Sequence, residues 1–285
     1  MKKDTLHELA PLAADLKLRD IEVGGAEGPL AGRLFTAGGA GKRDTLIVFF
    51  HGGGFVGGSI DEGQEFLSHL VSMNTNTVGL AAAYTLATTK PFPAAVEDAH
   101  AVLMWAKKNK TKLSWSGKRL VVSGIEAGAN LAAVVALMAR DRGGPALAGQ
   151  VLIMPMLDPG LSTCSMRELP SCPDKAAVAD QCAAAYRGYL PNAADRTHPY
   201  ASPLQSSRLK NLPPALILSA EEDPLRDEAE QYGAKLIACG ITTTVKRLPP
   251  PPLEPGGRNE CACVFAMGEI AAFIAGDGGT EAPPA

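Results

Sequence analysis

The sequence predicts an α/β architecture built on a doubly wound, mostly parallel sheet, and three features predict it. Short apolar runs recur along the chain without polar alternation, amphipathic helical patterns lie between them, and the joints are short. The runs cover residues 46–50, 77–80, 120–122, 151–154 and 215–218. A run that is apolar at every position suits a strand covered on both faces.

The helices follow the strands in order. Residues 93–105 begin with Pro93 and are followed by Lys107, Lys108 and Lys110, which matches the chemistry of helix starts and ends. A second helix carries Leu131, Val134, Val135 and Met138 at i, i+3, i+4 and i+7 and stops at Gly143. Two stretches interrupt the alternation. Residues 158–192 hold scattered helical signal and three cysteines, and read as a cap insertion above the sheet; residues 249–257 form a Pro-rich loop. Residues 276–285, rich in Gly, Pro and Ala, read as a frayed tail.

Composition narrows the function. The 285 residues hold 27 Lys+Arg against 30 Asp+Glu, a formal charge of −3, with 46% hydrophobic and 20% charged residues. A disordered chain has fewer apolar residues and more net charge, and a nonspecific nucleic-acid binder has a basic excess, so no nucleic-acid partner is expected. The longest charge-free stretch, residues 66–89, is broken by Ser68, His69, Asn74, Thr75, Asn76 and Gly79, so no membrane span is expected. Asp4, His7 and Glu8 stand where a signal peptide needs its apolar core, which points to a cytoplasmic protein. Length suggests up to two domains, but the strand–helix alternation favours one unit. The cysteines at 164, 172, 182, 239, 261 and 263 form no CxxC pair and no zinc spacing. They read as reduced thiols, and neither metal nor cofactor is expected.

Two local motifs carry chemistry. His51-Gly52-Gly53-Gly54-Phe55 follows the first apolar run directly. Successive glycines let backbone N–H groups face a ligand, as stabilising an oxyanion requires; the plainer reading is a tight turn after a strand. The second is Gly124-Ile125-Glu126-Ala127-Gly128, between a strand and a helix. In a G-x-S-x-G elbow the small flanking residues permit a strained turn that lifts a nucleophile to the helix N-terminus. Here that place is taken by Glu126.

Together with Tyr84-Thr85-Leu86-Ala87, PFPAAVEDA at 91–99, Asn130-Leu131-Ala132, Ala201-Ser202-Pro203-Leu204 and Asp223-Pro224-Leu225-Arg226-Asp227, these motifs resemble the hormone-sensitive-lipase branch of the α/β-hydrolase fold, the family of acetyl-esterase-like carboxylesterases. The resemblance implies an eight-stranded-type sheet, a short N-terminal cap segment at 1–20, a hydrolase domain at 21–275 with the cap insertion at 158–192, and a tail at 276–285. It implies that Gly53, Gly54 and Ala127 supply the oxyanion N–H groups and that Asp223 holds the position of the triad acid. His51, Gly52, Gly124 and Gly128 support the motifs. Asp223 also reads as the N-cap of a helix with Pro224 at its first position.

The sequence departs from the family at two triad positions. Glu126 stands at the nucleophile position, and the family's His, expected near Leu253, is missing; no His occurs after His198. His7, His69, His100 and His198 read as structural or surface residues. Without Ser and His, ordinary esterase turnover is expected to be lost. Three readings of Glu126 stay open: a carboxylate nucleophile whose intermediate stalls, a plug in the oxyanion hole favoured by the helix dipole, or an acid/base partner of Asp223. The favoured function is a pseudo-esterase that binds a small ligand or a partner in the former acyl pocket. The alternatives are an active hydrolase of small esters using Glu126 and Asp223, and an assembly role, such as a homodimer formed through residues 242–246 and 264–274.

Overall fold

The apolar runs become the centre of one sheet. A computed structural model describes residues 11–168, 173–249 and 266–276. Its strands are β1 (Lys17–Gly24), β2 (Pro29–Thr36), β3 (Arg43–Phe50), β4 (Thr77–Ala82), β5 (Trp115–Ile125), β6 (Gly149–Ile153), β7 (Ala215–Ala220) and β8 (Thr243–Leu248). They lie in the order β1-β2-β4-β3-β5-β6-β7-β8. The pairs β1·β2 and β2·β4 are antiparallel, and every pair from β4 to β8 is parallel.

Burial explains which strands could be read as apolar runs. β4 and β6 are buried at every position. In β3, Leu46, Val48 and Phe50 enter the core on one face while Ile47 and Phe49 enter the core on the other. Helices α2 (Ala94–Lys108), α3 (Ala127–Asp141) and α6 (Arg226–Ala238) cover the first face, and α1 (Gln64–Met73) and α7 (Met267–Ala275) cover the second. Two layers of helix on one sheet are the doubly wound arrangement. β1 begins at Lys17, inside the stretch expected to precede the first strand.

Two further helices, α4 (Cys164–Glu168) and α5 (Pro173–Tyr189), stand within the segment read as a cap insertion. Asp158 opens this segment by accepting hydrogen bonds from Gly160 N, Ser162 N and Ser162 Oγ. Ser165 ties α4 to α6, donating from Oγ to Pro224 O and from its backbone N–H to Asp227 Oδ2. Tyr186, Tyr189 and Leu190 at the end of α5 are buried core residues, with the Tyr189 ring stacked on Phe55 at 3.7 Å. Among the described residues no helix is long and apolar enough to cross a membrane. Cys164, Cys182 and Cys239 are free thiols. The loop around Leu253, where a family His is expected, residues 1–10 of the 1–20 segment and nearly all of the 276–285 tail lie outside the described residues.

Candidate active site

Parallel strands deliver their following loops to one edge of the sheet, and there the site assembles. The Gly-rich loop follows β3, Glu126 follows β5, Met154 and Met156 follow β6, and Asp223 follows β7. Together with Val56, Leu225 and the α5 residues Val178, Gln181, Cys182, Ala184 and Ala185, they line a cavity of about 440 Å3.

The elbow is set by close packing. Glu126 adopts φ 50°, ψ −113°, a conformation that a residue with a side chain reaches only under strain. Its backbone is fixed from both sides: Glu126 N donates to Ile153 O at 3.0 Å, while Glu126 O accepts from Asn130 N at 3.1 Å and Met156 N at 3.2 Å. The turn closes so tightly that a Cβ on Gly124 would sit 2.2 Å from Gly128 C, and one on Gly128 would sit 2.0 Å from Phe50 O. Asn130 continues the brace, donating through Nδ2 to Met156 O at 2.7 Å and to Ala201 O at 3.3 Å.

The loop facing the elbow is held from behind. Gly53 and Gly54 take left-handed φ values of 88° and 60°. His51 is buried, donates from Nδ1 to Gly52 O at 2.9 Å and stacks on Tyr84 at 4.3 Å; burial keeps its imidazole below the usual basicity. Tyr84 Oη donates to both His51 O and Gly52 O at 3.1 Å. Asp98 on α2 fixes the next stretch by accepting from Thr85 N and Ala26 N. Sequence reasoning gave no role to Asp98, although its place in the 91–99 motif marked the segment.

Glu126 turns toward the loop. Its Oε2 accepts from Gly53 N at 3.2 Å, whereas the N–H groups of Gly54 and Ala127 make no hydrogen bond to it. The carboxyl group therefore engages one of the three donors named from the sequence. Asp223 lines the same cavity, and its Oδ1 accepts from Leu225 N at 2.9 Å. This corrects the helix-cap reading of Asp223: α6 starts at Arg226, and the side chain closes a turn two residues ahead of it, because Pro224 and Leu225 are spent on that turn. Burial first, with the neighbouring Glu126 charge adding to it, pushes the Asp223 carboxyl up to about 6, despite the Leu225 N–H and the Arg226 charge.

Behind the cavity lies a second carboxyl. Glu228 is fully buried, and its Oε2 accepts from Leu157 N at 2.9 Å and Asp158 N at 2.5 Å, while Oε1 has no partner among the described residues. Burial drives this group well above the usual carboxylate range. The Cys182 thiol, 7% exposed on the cavity wall, is pushed up to about 12, chiefly by burial, with the neighbouring carboxyl groups adding to it. Neither Cys182 nor the two methionines was marked by the sequence; the methionines lie just past the end of β6, where parallel sheets place ligands. No described histidine lines the cavity: His69 and His100 sit on α1 and α2, and His198 sits in a turn where its Nδ1 accepts from Tyr200 N. Among the described residues no grouping of three or more His, Cys, Asp or Glu could hold a metal.

This arrangement of sheet, elbow and Gly-rich loop defines a class. A family profile described as the alpha/beta hydrolase fold matches residues 47–251. The chain belongs to the α/β-hydrolase fold family, in its hormone-sensitive-lipase-like carboxylesterase branch. It is 32% identical over 242 residues to Esterase LipI of Mycobacterium tuberculosis, covering 82% of this chain and 73% of that one. To Carboxylesterase NlhH of the same organism it is 33% identical over 214 residues, 73% of this chain and 66% of the relative, so it spans just under two thirds of that protein. A hyperthermophilic esterase from the archaeon Pyrobaculum calidifontis superposes with a TM-score of 0.82 at 36% identity, over 92% of this chain and 86% of that one.

Proposed function

We propose that this chain is a pseudo-esterase: a carboxylesterase-type fold that binds a small ligand in the former acyl pocket and turns over ordinary esters weakly or not at all. The observation that carries this reading is the Glu126 carboxyl standing 3.2 Å from Gly53 N inside a cavity with no histidine among its described lining residues. Serine esterases need a hydroxyl nucleophile, an imidazole to take its proton and return it, and free N–H donors for the oxyanion. Glu126 replaces the first and occupies one of the donors. The sequence holds no His beyond His198 to supply the second. Attack by Glu126 on an ester would give an anhydride, which without a base to activate water reverts or stalls.

The carbonyl of an ester entering the cavity would meet a carboxyl group already seated on Gly53. What is left is a recess with apolar walls and two carboxyl groups in its lining, within the roughly 300–1,000 Å3 range of ligand sites. A second reading has one observation in its favour. Asp223, pushed up to about 6 beside Glu126, has the pKa of a group suited to proton transfer near neutral pH, so the pair could serve a hydrolase of small carboxylic esters by acid/base chemistry.

Thermal unfolding in the presence of matched short-chain esters, acids, alcohols and amines tests the binding half of the proposal. Val178, 38% exposed on the cavity wall, is the position for a blocking change. At least one compound is expected to raise the melting temperature of the wild type and to leave Val178→Trp unmoved. If no compound shifts the wild type, or every shift persists in the variant, the cavity is not a binding site.

A further inference from the structure

We propose that the cavity takes a small organic cation, a primary or methylated ammonium carrying a short apolar chain. This rests on the reading of the cavity as a ligand site and names the chemistry of its occupant. The lining is charge-asymmetric: Glu126 and Asp223 both present carboxyl groups, and no Lys, Arg or His lines it among the described residues. The rest of the wall is apolar or polarizable, from Val56, Met154, Met156, Val178 and Leu225. A thiol, Cys182, is more than nine-tenths buried in the same wall and makes no hydrogen bond to another residue among those described.

The fold explains how this asymmetry arises. A hydroxyl at the elbow would be neutral, and an imidazole beside Asp223 would donate an N–H to it and accept a proton; this sequence replaces the first by a carboxyl group and holds no His after His198 to serve as the second. Both carboxyl groups then line one cavity with no cationic side chain beside them among the described lining residues, and the Glu126 charge adds to burial in raising Asp223. The guanidinium of Arg226, whose charge reaches Asp223, donates to Asp227 Oδ1 and Glu221 O and is not among the residues that line the cavity. An ammonium group between Glu126 and Asp223 supplies the missing charge and donors, and its alkyl chain lies against methionine and leucine side chains, which are favourable surfaces for it. A metal ion is a poorer match, because among the described residues the donors do not form a group of three or more.

A pH signature follows. The charged and titratable groups around Asp223 are Glu126, Arg226, Glu228 and Cys182. Glu228 and Cys182 are held protonated by burial, so Asp223 is the group that changes charge on either side of pH 6. Cation binding favours its ionised form, so affinity rises as pH increases through about 6 and then levels.

Calorimetric titration with hexylammonium, hexan-1-ol and hexanoate tests the proposal, using the full chain, Glu126→Gln, Asp223→Asn and Val178→Trp. The expected result is hexylammonium at least tenfold tighter than the alcohol or the acid, a tenfold or greater loss in each carboxamide variant, and no binding to Val178→Trp. Both carboxamides keep the shape of the residue replaced, so each is an independent check. Alcohol or acid binding as tightly as the ammonium overturns the cation proposal and leaves the pocket reading standing. Ammonium binding that ignores both carboxamide changes also overturns it. Failure of all three compounds to bind overturns this proposal, while the wider compound series decides the pocket reading separately.

Discussion

Replacing Asp223 by Asn should stabilise the protein at neutral and alkaline pH, in spite of removing a group at the centre of the site. In the folded chain the carboxyl is raised from its ordinary 3.8 to about 6, first by burial and then by the Glu126 charge. A raised acid binds its proton more tightly when folded than when unfolded. Its favourable contribution is therefore complete below the unfolded value and is lost as pH rises through the folded one. At pH 8 the ionised group costs the fold about 3 kcal/mol, from a shift of about two units at 1.36 kcal/mol each. Asn keeps the size of Asp and can still accept from Leu225 N, so little is lost with the charge. Asp223→Asn is expected to gain roughly 1–3 kcal/mol at pH 8, or several degrees in melting temperature for a chain of this length, and to converge on the wild type by pH 4. Calorimetric unfolding from pH 4 to pH 8 measures this. Equal or lower stability of the variant at pH 8, or a gap that widens as pH falls, would refute the reasoning.

Three other outcomes are expected. Gly124→Ala and Gly128→Ala each force a Cβ into backbone at about 2 Å and should lose roughly 3 kcal/mol or more, seen as a lower denaturation midpoint. Glu126→Gly should be more stable than Glu126→Ala by about 1–2 kcal/mol, because both lose the contact with Gly53 and only glycine relieves the strained φ; equal midpoints would remove strain from the account. Glu228→Gln should change stability by less than about 1 kcal/mol at neutral pH, since the buried acid is held neutral, whereas Glu228→Ala should lose about 2–4 kcal/mol by leaving Leu157 N and Asp158 N without an acceptor.

How far the fold could be read depended on which side of each strand meets water. β3, β4, β5, β6 and β7 were legible as unbroken apolar runs because helices cover both of their faces. β1 is mostly exposed and carries Lys17, Arg19, Asp20 and Glu22, so no such run marks it. β2 mixes exposed, half-buried and buried positions, so no unbroken apolar run marks it either. At the site, the elbow and the Gly-rich loop were legible because their chemistry is local: small residues at fixed spacing around one turn. The wall was not. Met154 and Met156 come from the loop after β6 and Cys182 and Ala185 from α5, and only the stacking of α5 over the sheet edge brings the two groups to one cavity.

The same distinction applies to Glu126. Its place at the elbow follows from neighbouring glycines, but the direction of its carboxyl depends on Gly53, seventy-three positions away along the chain. The expectation that Glu126 satisfies the whole oxyanion hole is narrowed to one donor, and the N–H groups of Gly54 and Ala127 stay clear of it.

Release of p-nitrophenol from short-acyl p-nitrophenyl esters, run with purified wild type beside Glu126→Ala, tests the central claim most directly. The account predicts rates for the two proteins that match each other, at or barely above the uncatalysed background. Turnover by the wild type above background that disappears in Glu126→Ala would contradict it, and would make this chain an enzyme working through carboxylate chemistry.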